Sequence, residues 1–367
     1  MANLTFEQIL KDIRNKVYYP VYFLMGEEPF FIDVIADYLE KQVLTDSEKE
    51  FNLSILYGKE TDIPAILGVA KRYPMMASHH LVIVREAQNV RNIEFKEKEI
   101  PKEISVKYLN ENNKGKEKSQ GEFENEILLK YLENPLKSTI LVFCYKYKTL
   151  DGRKKVAKTI PQNGILFESK RLYENQLTGW IETYINRKNY RIEPKATQML
   201  AAHLGTDLAK VTNEVQKLFI SLPAGSVITP DIIENNIGIS KDFNIFELQD
   251  AFGAINKEKA YRIAKYFGDN QKANPMVMTL SMLYLFFQKL MLYHHSTDKS
   301  EKGLMEATGL NAYFLKNYHK AARNFPPERI ERVFGILREY DLKLKGLGNR
   351  TADAGQLLTE MTFKILH

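Results

Sequence analysis

Cysteine is nearly absent from this chain of 367 residues, since Cys144 is its only one. A single thiol excludes a disulfide within the chain, and this favours a reducing compartment such as the cytoplasm. Cys144 lies inside the apolar run STILVFCYK, at residues 138–146. Reactive cysteines lie in partly exposed, electropositive surroundings. The sequence therefore predicts a buried structural thiol at this position and no nucleophile.

Long uninterrupted apolar runs are lacking as well. A membrane-spanning helix needs roughly 20 consecutive apolar residues. The longest candidate, MVMTLSMLYLFFQKLMLYHH at residues 276–295, is interrupted by Gln288 and Lys289, so it predicts a buried helix. Residues 1–16 carry acidic side chains in an amphipathic pattern and have no small-residue cleavage site, which argues against a signal peptide. We expect a cytoplasmic protein without membrane contact.

No strong excess of one charge is present, because 52 lysines and arginines face 46 aspartates and glutamates, for a net charge of +6. Nucleic-acid binding needs basic groups clustered on one face, so this balance permits such binding without requiring it. The segment KYKTLDGRKKVAK at residues 146–158 is the densest basic stretch. It is either a solvated linker or a contact for DNA phosphates. The candidate DNA-contact residues are Arg153, Lys154, Lys155, Lys343 and Lys345.

Catalytic and metal-binding motifs are missing too. The histidine pairs at residues 79–80 and 294–295 have neither the H-E-x-x-H spacing nor cysteine partners that zinc requires. No G-x-S-x-G motif marks a nucleophilic serine. The sequence predicts no metal, no cofactor and no catalytic residue.

The first part of the chain alternates strands with helices. Apolar runs predict strands at 21–24, 51–58, 80–87 and 139–146. Helices between them predict a parallel sheet covered on both faces. Residues 94–124 are rich in Lys, Glu and Asn and predict a flexible, solvated insertion whose role stays open.

From about residue 151 onward the patterns are those of amphipathic helices. The sequence thus predicts three domains. Residues 1–147 form an α/β domain, residues 148–240 a small helical domain, and residues 241–367 a larger all-α domain.

The first strand leads into a turn where a nucleotide-binding α/β domain would have its phosphate loop. Such a loop needs G-x-x-x-x-G-K-[ST], whose backbone amides, lysine and hydroxyl hold the phosphates and Mg²⁺. The turn here contains Gly26 as its one glycine, Glu27 and Glu28 would repel a polyphosphate, and Pro29 has no backbone donor. Arg85 stands at the end of the third strand, where a magnesium-binding carboxylate is needed. These residues predict a degenerate loop that does not hydrolyse nucleotide.

Four segments in order along the chain carry a resemblance to a known family. They are VYFLMGEEPFFIDVIADYL (21–39), LGTDLAKVTNEVQKL (204–218), FNIFELQDAF (243–252) and REYDLKLKG (338–346). Together they resemble the delta subunits of bacterial DNA polymerase III, the clamp-loader subunits that open the sliding clamp. The resemblance implies an AAA+-like α/β domain, a helical lid and an all-α collar, acting without ATP hydrolysis. The alternatives are an active AAA+-type ATPase with a divergent nucleotide loop and a free-standing helical protein that binds nucleic acid.

The resemblance also implies partners: the beta sliding clamp, the gamma and tau ATPase subunits, delta-prime, and primed DNA within the complex. Phe246, Leu248 and Phe252 fall in the predicted collar, where each is either an interface residue or part of the core.

Two adjacent methionines precede the third strand, in the stretch KRYPMMASHHLVIVREA (71–87). By residue type alone, Met75 and Met76 either cap the core or project toward another molecule. The resemblance implies that they form the apolar plug that enters a pocket of the clamp. Where the family commonly has an aromatic residue this chain has methionine, which is flexible enough to fill an irregular pocket. The implied clamp-binding residues are Tyr73, Pro74, Met75, Met76, Ala77 and Ser78.

Overall fold

The computed structural model describes residues 4–91, 93, 120–348 and 351–367. The chain divides into two compact units, Met1–Leu172 and Tyr173–His367. Most of the predicted flexible insertion, residues 94–119, lies outside the described residues, and residues 120–124 belong to a helix.

The first unit is built on a parallel sheet of five strands, ordered β2-β3-β4-β1-β5. The strands are β1 Val21–Gly26, β2 Leu53–Tyr57, β3 His80–Arg85, β4 Thr139–Lys146 and β5 Ile165–Ser169. The predicted parallel sheet and its first four strands are confirmed. The fifth strand was not predicted, because a run of five residues after a proline-containing helix gives little strand signal.

Helices cover both faces of this sheet. They are α1 Phe6–Arg14, α2 Pro29–Gln42, α3 Asp46–Asn52, α4 Ile63–Ala70, α5 Gln120–Glu133 and α6 Lys155–Asn163, with a 3₁₀ turn at Ala87–Asn89. Successive strand residues point to opposite faces, so Phe23 packs with α4, α5 and α6 while Tyr22 packs with α1 and α2. Because both faces are covered, functional groups of this unit lie at the strand ends and connections.

The second unit is helical apart from two short paired strands, β6 Arg191–Ile192 and β7 Val227–Ile228. Its helices in the described residues are α7 Glu174–Asn186, α8 Pro194–Leu204, α9 Leu208–Ser221, α10 Pro230–Ile237, α11 Ile245–Gly253, α12 Lys257–Asp269, α13 Met276–His295, α14 Glu301–Thr308, α15 Ala312–Asn324, α16 Pro327–Leu344 and α17 Ala354–Leu366. Leu248 and Phe252 are fully buried in its core, whereas Phe246 is half-buried. Of the two alternatives, interface or core, Leu248 and Phe252 are therefore core residues.

Helix α13 is, among the described helices, the one long and apolar enough to cross a membrane by length and composition alone. Its inner side, with Leu283, Phe287 and Leu290, packs into the core of the second unit, as predicted for a buried helix. Only 39% of the most apolar 18-residue stretch of this helix is buried. The outer side is therefore an apolar surface.

A buried carboxylate joins three helices of the second unit. Glu247 on α11 accepts a hydrogen bond from Lys195 Nζ of α8 at 2.5 Å and another from Lys259 of α12. Burial raises the pKa of Glu247, but the two lysines outweigh it and leave the pKa below its ordinary value. This group therefore contributes stability in its ionised form.

The predicted domain boundary at residue 147 falls before α6 and β5, and both belong to the first unit. The β5 strand pairs with β1 at the edge of the five-stranded sheet, so it is part of the α/β fold. The division of the remaining chain into a lid and a collar near residue 240 stays a prediction.

Candidate functional site

The connection between α4 and β3 projects apolar side chains into solvent. Met76 is 103% exposed, Tyr73 is 77% exposed and Met75 is 61% exposed. Ser78 is also exposed, and Pro74 is half-buried. Large apolar side chains grouped at a surface mark an interaction site more often than a structural role. The alternative that the two methionines cap the core does not fit these exposures.

A buried asparagine holds the backbone of this connection. Asn52, at the end of α3, is 1% exposed. Its amide Nδ2 donates to the Met75 carbonyl at 2.9 Å, and its Oδ1 accepts from the Met75 amide at 2.6 Å. Met76, the next residue, has a φ of 52° in the left-handed region. The turn that exposes the two methionines is thus fixed from a residue far away in sequence.

The second half of the connection is anchored to the first unit. Ala77 packs against the core on the α2 side of the sheet. The His79 ring lies edge-on to Tyr18, with ring centroids 5.4 Å apart, and burial lowers the pKa of His79. Ser78 Oγ and His79 Nδ1 are 2.9 Å apart. The exposed methionines therefore lie between two anchors, Asn52 and the residues that follow Met76.

Asn52 and its neighbour Phe51 are residues that the sequence did not single out. Phe51 is 65% exposed and lies beside the residue that holds Met75. The sequence showed Phe51 only as an aromatic residue in a polar segment. Single exposed aromatic residues are common on protein surfaces, so this pattern does not mark a functional site.

Two backbone amides at the end of β1 and in the turn that follows it donate hydrogen bonds within the first unit. The Gly26 amide donates to the Lys148 carbonyl at 3.0 Å, and the Glu28 amide donates to the Ser169 carbonyl at 3.3 Å. A Cβ added to Gly26 would lie 2.0 Å from the Ser169 carbonyl oxygen. Phosphate loops need such amides to point at the ligand. Here the two amides bond the turn to the segment that follows β4 and to the end of β5.

The start of α2, where a phosphate would bind, already has its own anion. Glu28 is 7% exposed, and its carboxylate accepts a hydrogen bond from the Phe30 amide at 3.0 Å. Pro29 supplies no donor, and Glu27 is exposed. A bound polyphosphate would have to displace a carboxylate from the positive end of the helix. That Gly26, Glu27 and Glu28 form a loop that binds no nucleotide stays a prediction.

Basic side chains stand at the carboxyl ends of β3 and β4, where a nucleotide site would place its magnesium ligands. Arg85 pairs with Asp37 at 2.7 Å and with Glu40 at 3.1 Å, and Lys146 pairs with Asp33 at 2.6 Å. All three carboxylates come from α2. The basic side chains at these strand ends are therefore paired with carboxylates of the same chain. Those carboxylates already neutralise Arg85 and Lys146.

The thiol beneath this cluster is inert. Cys144 is fully buried, and burial raises its pKa to about 12, so it is a protonated thiol at neutral pH. In the part of the chain that the structure describes, no group of three or more His, Cys, Asp or Glu side chains could hold a metal ion.

The DNA-contact candidates lie in two places. Arg153 pairs with Asp151 at 2.8 Å, and Lys155 begins α6 as an exposed residue; Lys154 is half-buried. In the second unit, Lys343 pairs with Glu339 at 2.9 Å, and Lys345 pairs with Asp341 at 2.6 Å. Arg153, Lys343 and Lys345 thus each have an acidic partner within the chain, and DNA contact by the five candidates stays a prediction.

Comparisons with known proteins bear on the same segments. The family model described as DNA polymerase III, delta subunit matches residues 22–114 and 101–170, which include the exposed methionines. The DNA polymerase III subunit delta of Bacillus subtilis (strain 168) is 23% identical over 340 residues, covering 92% of this chain and 91% of that protein. The solved structure of the Bacillus subtilis DNA clamp loader delta protein is similar with a TM-score of 0.52 and 20% identity, and the match covers 99% of each chain.

Proposed function

Because the chain belongs to the family of DNA polymerase III delta subunits, we propose that it binds the sliding clamp through the connection between α4 and β3 and opens the ring for loading onto primed DNA. The proposed contact residues are Tyr73, Pro74, Met75, Met76, Ala77 and Ser78. We call residues 73–78 the clamp-contact turn.

The observation that carries this proposal is the exposure of Met75 and Met76, at 61% and 103%, on a segment inside the matched family region. Two solvated thioethers do not stabilise the folded chain. Burying them in an apolar pocket of a partner would stabilise the complex. Each side chain contributes roughly 1.5–3 kcal/mol when it is fully buried. Two such residues at the centre of an interface are enough for a binding hot spot.

Opening a ring requires that the open form be bound more tightly than the closed form. A shift from about 1% open to about 99% open requires roughly 5.5 kcal/mol of differential affinity. The apolar plug supplies grip on the clamp, and we propose that neighbouring surfaces of the first unit clash with the closed ring. The energy for opening then comes from binding and not from nucleotide hydrolysis on this chain.

An adaptor without ATPase activity is supported by the turn after β1. The amides of Gly26 and Glu28 are bonded to the carbonyls of Lys148 and Ser169, and the carboxylate of Glu28 caps α2. The alternative of an active AAA+-type ATPase would need phosphate and magnesium ligands at this place, where Arg85 and Lys146 form ion pairs instead. We therefore propose that partner subunits hydrolyse ATP for the loader.

We further propose that the helices of residues 241–367 assemble with the gamma and tau ATPase subunits and delta-prime. The outer side of α13 supports this, because Val277, Met278, Tyr284 and Leu292 are 60%, 43%, 48% and 45% exposed. An apolar helix face of this length is typical of an obligate interface. Within the assembled loader the chain is proposed to act on primed DNA in the cytoplasm.

The proposal is tested by titrating the cognate sliding clamp with the purified chain in the absence of ATP. The native chain should bind, and the double variant Met75→Ala/Met76→Ala should lose detectable binding while its thermal unfolding and its assembly with loader partners are unchanged. Ile220→Ala is the matched control, since Ile220 is an apolar residue of the second unit that is 88% exposed. Near-native clamp affinity in the double variant would contradict the proposal. A nucleotide-binding measurement on the isolated chain separates the ATPase alternative.

A further inference from the structure

We propose that Asn52 is a positioning residue, which holds the clamp-contact turn in its binding conformation before the clamp arrives. This inference rests on the proposed function, because it concerns the same surface. It adds that the turn is preformed and that its shape depends on a buried amide of a different helix.

The contacts of Asn52 are specific to an amide side chain. The Nδ2 group donates both to the Met75 carbonyl, at 2.9 Å, and to the Glu48 carbonyl, at 3.0 Å. The Oδ1 atom accepts from the Met75 amide at 2.6 Å. A carboxylate cannot donate, and an aliphatic side chain can do neither. Asn52 therefore satisfies both backbone groups of Met75, as a neighbouring strand would.

The clamp-contact turn needs such a holder. Residues 71–79 contain no helix or strand, and in the described backbone hydrogen bonds neither the amide nor the carbonyl of Met75 has a backbone partner. Met76 adopts a φ of 52°, which is unfavourable for a residue with a side chain unless the surroundings enforce it. Asn52, which is buried and tied to its own helix through Glu48, is the group that enforces it.

A preformed turn favours binding because the clamp need not select a rare conformation. The apparent affinity of a site falls in proportion to the fraction of molecules in the competent conformation. Without the two bonds to Met75, the exposed turn would sample other conformations. Fewer molecules would then have both methionine side chains placed to enter a pocket of the clamp. The effect would reach the clamp through Met75 and Met76, with no contact between Asn52 and the clamp.

The test compares the native chain with Asn52→Asp, which keeps the size of the side chain and loses the donor to both carbonyls. In the native chain, hydrogen exchange at the Met75 amide should be slower than at the exposed Ser78 amide. In Asn52→Asp the carboxylate keeps the bond from the Met75 amide but loses the bonds to the carbonyls of Met75 and Glu48, so clamp affinity should weaken about tenfold with both methionines still present. In Asn52→Leu, which is similar in size and loses the acceptor as well, the protection of the Met75 amide should fall at least about tenfold. A purely structural role of Asn52 would lower the melting temperature without changing clamp affinity below that temperature.

The outcomes separate this inference from the proposed function. If the native chain binds the clamp and the folded Asn52→Asp variant binds within twofold of it, the inference is wrong and the function stands. If the native chain does not bind the clamp, the function fails. Unprotected exchange at Met75 in the native chain overturns the inference even if the variant does not fold. Asn52→Ser, which keeps a small polar group in the buried position, repeats the affinity test in that case.

Discussion

Replacing Met76 with alanine is expected to weaken clamp binding more than replacing Met75, because the two thioethers start from different exposures. Met76 is 103% exposed in the free chain, so its whole side chain is available for burial, whereas Met75 is 61% exposed. With roughly 1.5–3 kcal/mol for a fully buried methionine, Met76→Ala loses up to that amount. Met75→Ala loses about six tenths of it, or roughly 1–2 kcal/mol.

These free energies correspond to affinity losses of roughly 10- to 150-fold for Met76→Ala and roughly 5- to 30-fold for Met75→Ala. They are upper values, since alanine keeps a Cβ. The left-handed backbone of Met76 does not distort the comparison, because alanine and methionine are both L residues with a Cβ and meet a similar penalty there.

The measurement is a calorimetric titration of the clamp with each single variant, with the native chain and with Ile220→Ala, all without ATP. The order of the losses is the decisive result. An equal or larger loss for Met75→Ala, or losses below about threefold for both, would refute the assignment of Met76 as the main anchor.

Three further predictions follow from contacts inside the two units. Gly26→Ala should destabilise the chain by about 2 kcal/mol or more in denaturant unfolding, because the new Cβ meets the Ser169 carbonyl oxygen at 2.0 Å; an unchanged midpoint would contradict the close approach. Cys144 should resist iodoacetamide in the native chain and react only after unfolding, since its pKa is raised to about 12 by burial; rapid native labelling would contradict this. Glu247→Gln should cost most stability above pH 4.5, the ordinary glutamate value, because a lowered folded pKa stabilises only while the group is ionised; the cost should shrink as pH falls through the folded pKa, and a cost independent of pH would count against the Lys195 ion pair.

Much of the fold was predictable because hydrophobic periodicity is a local property. Runs such as residues 80–85 and 139–146 are long, rich in β-branched residues and buried on both faces, so they predict central strands of a parallel sheet. The strand at 165–169 was not predicted. It alternates buried and less buried residues over only five positions, and its place in the sheet comes from pairing with β1.

The conformation of the proposed clamp-contact turn was only partly predictable. Residue type left Met75 and Met76 as either core or exposed residues, and the family resemblance implied that they are exposed. The bonds to the Met75 backbone come from Asn52, which lies 23 residues earlier in the chain. No local pattern reports such a contact. Likewise, Arg85 was expected to oppose metal binding, whereas its partners Asp37 and Glu40 became known only from the packing of α2 on the sheet.

If Met75 and Met76 bind the clamp as proposed, the same two solvated thioethers would make clamp binding sensitive to oxidants. Exposed methionines are converted to sulfoxides more readily than buried ones, and a sulfoxide is polar where the thioether is apolar. We expect mild peroxide treatment to modify Met76 before Met199, which is 1% exposed, and to release the clamp without unfolding the chain. Methionine sulfoxide reductases would reverse the change, so the strength of clamp capture would depend on the redox state of the cell.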